Sequence, residues 1–247
     1  MTEVSWPSRD HEPSDRRRSE PEWLCYQFAA RDAAGKRVLD VDCGAGYGSW
    51  LLARAGAAQV IGVAEDPAAL AWARQQFAGP TVQYREGAFR SLPLASGDVD
   101  LAVSLETLER LRDVTSFVEE LHRVLAPGGL LILSTPLTRG PARLHPQDPL
   151  HVREADDVEL AAMLSPRFSI AARHGLFRPP GRLRAREGGV GPRLEREARK
   201  LLPAVLRGLG RRLLPRSAGV ASEPLARIVA EGWEAAPIQL VLARRVG

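Results

Sequence analysis

Lysine is nearly missing from this chain. Of 34 basic side chains only Lys36 and Lys200 are lysines, a bias that coding composition accounts for and that carries no functional weight. Cysteine is scarce too. Cys25 and Cys43 are too far apart for a zinc pair and too few for a disulfide framework, which suits a reducing compartment. Long apolar runs are absent: the longest uncharged apolar stretch, Leu130 to Leu137 around Ser134, falls far short of the roughly 18 residues of a membrane span, so an integral membrane protein is excluded. Met1 to Glu20 lacks the apolar segment of a secretory signal and reads as a disordered leader, with the cytoplasm as the expected location. No internal repeat is found.

What is present is enough for a core. The 247 residues are 45% apolar and 26% charged, which is too apolar for a chain disordered throughout and accommodates one core of about 150 to 200 residues with a smaller addition. The net charge of +4 hides a local excess. Arg178 to Arg216 holds twelve basic residues against three glutamates, so this segment carries +9 and the remainder −5.

Periodicity supplies the organisation. Trp23, Leu24, Phe28 and Ala29 are spaced for a helix within Pro21 to Ala34. Val38 to Val41 is a short apolar strand that enters a glycine-rich turn, Cys43 to Gly48, and Trp50 to Ala55 continues as a helix. Val60 to Val63 repeats the strand signal, and a helix follows from Pro67 through Phe77. Thr81 to Tyr84 and Val99 to Ser104 read as further strands. Phe117, Leu121, Val124 and Leu125 mark a helix ended by Pro127, Gly128 and Gly129, and Leu130 to Ser134 reads as a central strand covered on both faces. After a helix over Ala155 to Leu164, Phe168 to Ala172 reads as an edge strand and Ile238 to Ala243 as the last strand. This alternation predicts an α/β fold, a doubly wound, mostly parallel seven-stranded sheet with an Arg-rich insertion before its last strand. The expected divisions are a leader over 1–20, a core over 21–176, a basic, partly helical insertion over 177–235 without a strand, and the last strand and tail over 236–247.

The turn V-L-D-V-D-C-G-A-G-Y-G, Val38 to Gly48, puts Gly44 and Gly46 where a strand meets a helix, so that backbone can approach a ligand unobstructed by Cβ atoms. A tight turn without a ligand would look the same. The dinucleotide fingerprint would need glycine at Ser49, which disfavours NAD. The turn instead resembles motif I of class I S-adenosylmethionine-dependent methyltransferases of the type 11/23 kind, with Asp40 as the acid near the strand end. Further segments resemble the same family in order and spacing: V-I-G-V-A-E-D-P at Val60 to Pro67, S-L-P-L at Ser91 to Leu94, and V-L-A-P-G-G-L-L-I-L-S-T-P at Val124 to Pro136. E-W-L-C-Y-Q-F-A-A resembles its aromatic N-terminal helix, and D-P-L-H-V-R-E at Asp148 to Glu154 the segment after its fifth strand.

The resemblance implies a Rossmann-like methyltransferase fold and S-adenosylmethionine as cofactor, held by Tyr26, Asp40, Asp42, Gly44, Ala45, Gly46, Glu65, Asp66, Ala88, Phe89 and Leu105. No metal is expected. Four positions depart from the family pattern. Ala64 stands where an acid usually holds the ribose hydroxyls, and Glu65 and Asp66 follow it. Ala88 stands in place of an aspartate at the adenine. Asp42 replaces a small residue near the methionine moiety, where it either attracts the cofactor's amino group or obstructs the pocket. Arg110 replaces a histidine in E-T-L-E-R; it cannot act as a base but can bind an anion.

Methyl transfer demands positioning and exclusion of water more than catalytic side chains. For a hydroxyl acceptor, His151 and Glu106 are the candidate catalytic residues, with His145 behind them; an exposed loop histidine and a helix-capping glutamate are the competing readings. Trp23 and Tyr26 either cover a sulfonium or pack in the core. Leu194, Ala198, Leu201, Leu202, Val205, Leu206 and Leu209 recur at helical spacing among arginines, a stripe that suits a core-facing helix, a lid or dimer contact, or a surface for nucleic acid or anionic lipid. Two functions therefore stand side by side. One is methyl transfer to a small-molecule acceptor, with sugar-containing and secondary metabolites in view; the other is a non-catalytic relative that keeps the fold as a binding or scaffolding module.

Overall fold

Runs rich in Val, Leu and Ile become the strands of one mixed sheet in the computed structural model, which describes residues 19–138, 150–177, 227–231 and 236–247. The strands are β1 (Arg37–Val41), β2 (Gln59–Ala64), β3 (Val82–Glu86), β4 (Val99–Leu105), β5 (Leu125–Pro136), β6 (Phe168–Phe177), β7 (Arg227–Val229) and β8 (Ile238–Arg245). The helices are α1 (Ser19–Ala30), α2 (Tyr47–Arg54), α3 (Pro67–Gln76), α4 (Val114–Val124) and α5 (Asp157–Leu164). Strand order is β3-β2-β1-β4-β5-β8-β6-β7. The first five run parallel, and β8 enters antiparallel to both β5 and β6.

Alternation along each strand sends neighbouring side chains to opposite layers. Leu39, Val41, Ile61, Val63, Leu131 and Leu133 pack with Phe117, Leu121 and Phe168 on one face. Val38, Val60, Leu101, Val103 and Ile132 pack with Tyr26, Ala29, Leu51 and Leu52 of α1 and α2 on the other. With both faces covered, the central strands carry no alternating polar side, which is why they read as continuous apolar runs. Asp66, Asp113 and Asp156 start α3, α4 and α5 by accepting from the amides of Ala68, Ser116 and Glu159 at 2.9, 3.0 and 2.8 Å.

Three details differ from the sequence reading. Arg227–Val229, inside the stretch expected to lack a strand, pairs with Gly175–Phe177, so the seven expected strands are joined by an eighth and β6 is not the edge. Three residues are too few to show a period. Secondly, A-P-G-G is not a loop: β5 begins at Leu125, directly after α4, and its register against β4 shifts between Val99 and Leu101, as a bulge accommodating Pro127 and Gly128 requires. Thirdly, α1 starts at Ser19, ahead of the expected end of the leader. The rest of the leader, residues 178–226 of the basic insertion and His145 lie outside the described residues.

No helix among the described residues is long and apolar enough to cross a membrane. The chain leaves β1 toward β2 and β3 on one side and returns through β4 and β5 on the other. The crevice of such a sheet therefore opens beyond the carboxyl ends of β1, β2 and β4.

Candidate active-site cleft

At the end of β1 the backbone turns sharply, with Asp42 at φ 61°, Gly44 at 49° and Gly46 at 85°. The glycines of this turn answer to different demands. A Cβ on Gly46 would meet Ala73 Cβ at 2.5 Å and Tyr84 Oη at 2.7 Å, and one on Gly48 would lie 1.9 Å from the Tyr26 ring. Packing forbids both. A Cβ on Gly44 would meet nothing within 4 Å, so that glycine faces open space. Ala45 beside it is half-buried, and Tyr84 Oη donates to the Gly46 carbonyl at 2.9 Å, fixing the turn against β3.

Beneath the turn, Asp40 has no exposed surface and accepts from Ser49 Oγ at 2.6 Å and Tyr26 Oη at 3.0 Å. Burial pushes its carboxyl up to about 7 even though these hydrogen bonds favour the charged form. Tyr26 is buried as well, and loss of water drives its phenol upward. The two residues nominated for the cofactor thus bind each other and tie α1, β1 and α2 together. Trp23 stacks on Tyr47, ring centroids 5.2 Å apart.

Around the turn the carboxylates gather. Asp42 receives Arg110 Nη1 at 2.5 Å across the gap between the ends of β1 and β4. Burial raises its pKa, Arg110 opposes that rise, and Glu65 adds to it. Glu106, in left-handed conformation at φ 52°, accepts from Ser134 Oγ at 3.0 Å and donates its amide to the Ser134 carbonyl; it does not cap a helix, because Asp113 caps α4. Glu22 is exposed by surface area yet surrounded by protein, the combination expected at the rim of an open cleft. Lost hydration, then Glu106 and Asp42, raise it to about 7.

Beyond β2, Ala64 is buried, and the exposed Glu65 lines a depression of about 370 Å³ with Glu86, Gly87 and Ala88. Asp66 is engaged as the α3 cap. Phe89 and Leu105 are core residues, Phe89 edge-on to Phe117. Glu65 and Ala88 therefore share one hollow, while Phe89 and Leu105 pack into the two separate core layers.

Sequence reading passed over Glu109, whose only signal was the second acid of E-T-L-E-R. It is fully buried, and its Oε2 accepts from Thr135 Oγ1 at 3.0 Å. Its carbonyl receives the amides of Val152 and Arg153 at 2.8 and 3.2 Å, which fastens the His151 segment to the end of β4. His151 Nδ1 pairs with Glu154 Oε1 at 2.8 Å, and its Nε2 lies 3.9 Å from Glu109 Oε1, an atom without a hydrogen-bond partner among the described residues. Burial and then Glu106 push the Glu109 carboxyl up to about 8. Among the described residues no group of three or more His, Cys, Asp and Glu could hold a metal, and both cysteines are buried.

Residues 39–133 match the profile of a family described as methyltransferase domain. A Mycolicibacterium smegmatis protein named "Probable S-adenosylmethionine-dependent methyltransferase" is 40% identical over 171 residues, 67% of this chain and 65% of that protein. A Xanthomonas oryzae ubiquinone biosynthesis O-methyltransferase is 35% identical over 184 residues, 67% of this chain and 76% of that protein. The match thus spans less than two thirds of the length of the Mycolicibacterium smegmatis protein, and 61% of that of a Mycobacterium tuberculosis protein, named as a probable S-adenosylmethionine-dependent methyltransferase, that is 40% identical over 172 residues. Among solved structures, an S-adenosylmethionine dependent methyltransferase from Mesorhizobium loti superposes with a TM-score of 0.56 at 20% identity, covering 91% of this chain and 98% of that one, a likeness of fold.

Proposed function

The chain belongs to the class I S-adenosylmethionine-dependent methyltransferase family, and we propose that it uses S-adenosylmethionine to methylate a hydroxyl oxygen of a small molecule. The observation that supports this most is the open face of Gly44, in the turn that also carries the Asp42 carboxylate, on which Glu65 acts. A sulfonium fits such a place, and a Cβ on Gly44 would intrude on it. The 370 Å³ depression beside Glu65 fits a ribose and a purine edge, with Glu65 as acceptor for the sugar hydroxyls in place of Ala64. Ala88 leaves the adenine amino group to backbone partners.

S-adenosylmethionine supplies an electrophilic methyl group, whose transfer to an acceptor oxygen leaves a neutral thioether and releases the hydroxyl proton. This chain's contribution is to hold the reactants and receive that proton. Glu154 is placed to keep a proton on His151 Nδ1, which makes Nε2 the basic nitrogen. Glu109, protonated over much of the neutral range, spares the imidazole a buried negative charge beside it until pH rises. Glu106, held by Ser134, takes an acceptor hydroxyl by hydrogen bonding. The named activity of the Xanthomonas relative supports oxygen as the acceptor atom, with phenolic and sugar hydroxyls of secondary metabolites as the candidate acceptors.

Calorimetric titration with S-adenosylmethionine and S-adenosylhomocysteine tests the reading. Binding is expected, weakened about tenfold by Glu65→Ala through loss of a charged hydrogen-bond acceptor. No binding at millimolar ligand leaves only the scaffold reading. With an acceptor in hand, His151→Gln should lower kcat about 10²- to 10⁴-fold and leave cofactor affinity unchanged; an unaltered kcat removes the base from His151.

A further inference from the structure

The Asp42–Arg110 pair is an ion pair with unequal partners. The Asp42 side chain is 15% exposed and fixed at the end of β1, whereas the Arg110 side chain is 46% exposed on the turn after β4. Val41 and Ser104 are register partners at the ends of these strands, so the pair spans the crevice where two parallel strands stop. Asp42 adopts a left-handed backbone conformation that an aspartate tolerates at a cost, and Glu106, just past the end of the neighbouring strand β4, does the same.

Carboxylates gather beside the pair. Glu65 acts on Asp42, and Asp42 and Glu106 act on Glu22. Arg110 is paired with Asp42. One guanidinium serves Asp42 through a single nitrogen, and an arginine presents five N–H donors in a plane suited to a second carboxylate. A complementary ligand carries two positive groups and one carboxylate. The sulfonium, ammonium and carboxylate of S-adenosylmethionine are that set.

We propose that Asp42 and Arg110 together receive the amino-acid end of the cofactor, Asp42 taking the ammonium and Arg110 the carboxylate. This rests on the cofactor reading above and adds to it the residues that hold the methionine portion. The internal pair opens cheaply, since a half-exposed ion pair contributes little net stability. The ligand's zwitterion then restores both interactions. Asp42 and Arg110 thus act as one unit, and neither charge is an obstruction.

The test compares S-adenosylhomocysteine with 5′-methylthioadenosine, which keeps the nucleoside and thioether but lacks the amino acid. Both are titrated calorimetrically into the full chain and into Asp42→Asn, Arg110→Gln and the double variant, with thermal melts confirming that each is folded. Wild-type protein should bind S-adenosylhomocysteine at least tenfold tighter than methylthioadenosine. Each single variant should lose about tenfold or more for S-adenosylhomocysteine and change less than about threefold for methylthioadenosine. The double variant should lose no more than about the larger single loss, as expected of coupled residues. Equal losses for both ligands, or no loss for S-adenosylhomocysteine, overturn the assignment while leaving the cofactor reading intact. Wild-type protein that binds neither ligand at millimolar concentration overturns both. If Asp42→Asn does not fold, Arg110→Gln, on an exposed turn, decides the matter by the same criteria.

Discussion

Gly44 and Gly48 stand four residues apart in one turn, and a methyl group added to each has opposite consequences. At Gly48 it would enter the Tyr26 ring, so Gly48→Ala should destabilise the fold by about 1 to 3 kcal/mol or more, read as a lowered urea midpoint. Gly44→Ala meets no atom, and only its positive φ of 49° imposes strain, about 1 kcal/mol; the loss should instead appear in cofactor affinity. A Gly44→Ala variant that binds S-adenosylhomocysteine normally would show that the open face is not used. Asp40 makes a prediction in pH. Its carboxyl rises from an ordinary 3.8 to about 7, so between those values the folded state holds a proton that the unfolded chain releases, and stability falls as pH rises through that window. Asp40→Asn, which cannot ionise, should flatten this part of the stability profile while lowering its overall level, since the amide offers one acceptor to Ser49 and Tyr26 where the carboxylate offers two.

Helix α4 shows what an element does beyond filling a layer. Phe117, Val118, Leu121 and Val124 bury its apolar stripe, and its polar edge grips the loop that carries Ser91 to Leu94. Arg123 donates to the Leu92 and Leu94 carbonyls at 3.1 and 2.8 Å, and Glu120 accepts the Leu92 amide at 2.8 Å while pairing with Arg123 at 2.7 Å. Arg123→Ala should cost about 1 to 3 kcal/mol and speed amide hydrogen exchange in residues 91–94. The helix stripe, the strand runs and the S-L-P-L motif were legible because each is a local pattern. The clamp was not, since an arginine on a helix edge reads as solvated until a loop from 29 residues earlier is seen to pass beneath it. β7 escaped notice for the same kind of reason: three residues acquire strand geometry only by pairing with β6.

Across the whole molecule, Asp40, Glu22 and Glu109 are all raised, to about 7, 7 and 8, whereas Asp113 and Glu120 are lowered by hydrogen bonds accepted from Ser116 and from Arg123 respectively. The raised group costs stability as pH climbs from about 4 toward 8; the lowered group loses its contribution as pH falls below the ordinary carboxylate range. Maximum stability should therefore lie near pH 5, and denaturation at pH 5 and pH 8 should show the higher midpoint at the acidic value. S-adenosylhomocysteine at a hundredfold excess over its Kd should stabilise the protein by about 2.7 kcal/mol, seen as a higher Tm. The amino-acid sequence by itself determined the layer architecture, the place of the glycine turn and the family, because apolar period and glycine spacing act between near neighbours. Tertiary structure alone decided that Asp40 faces Tyr26 and Ser49 within the protein, that Glu65 and Ala88 line one hollow, and that Asp42 and Arg110, 68 residues apart, belong to each other. Which charge meets which depends on where separate strands end in space, and no local pattern encodes that distance.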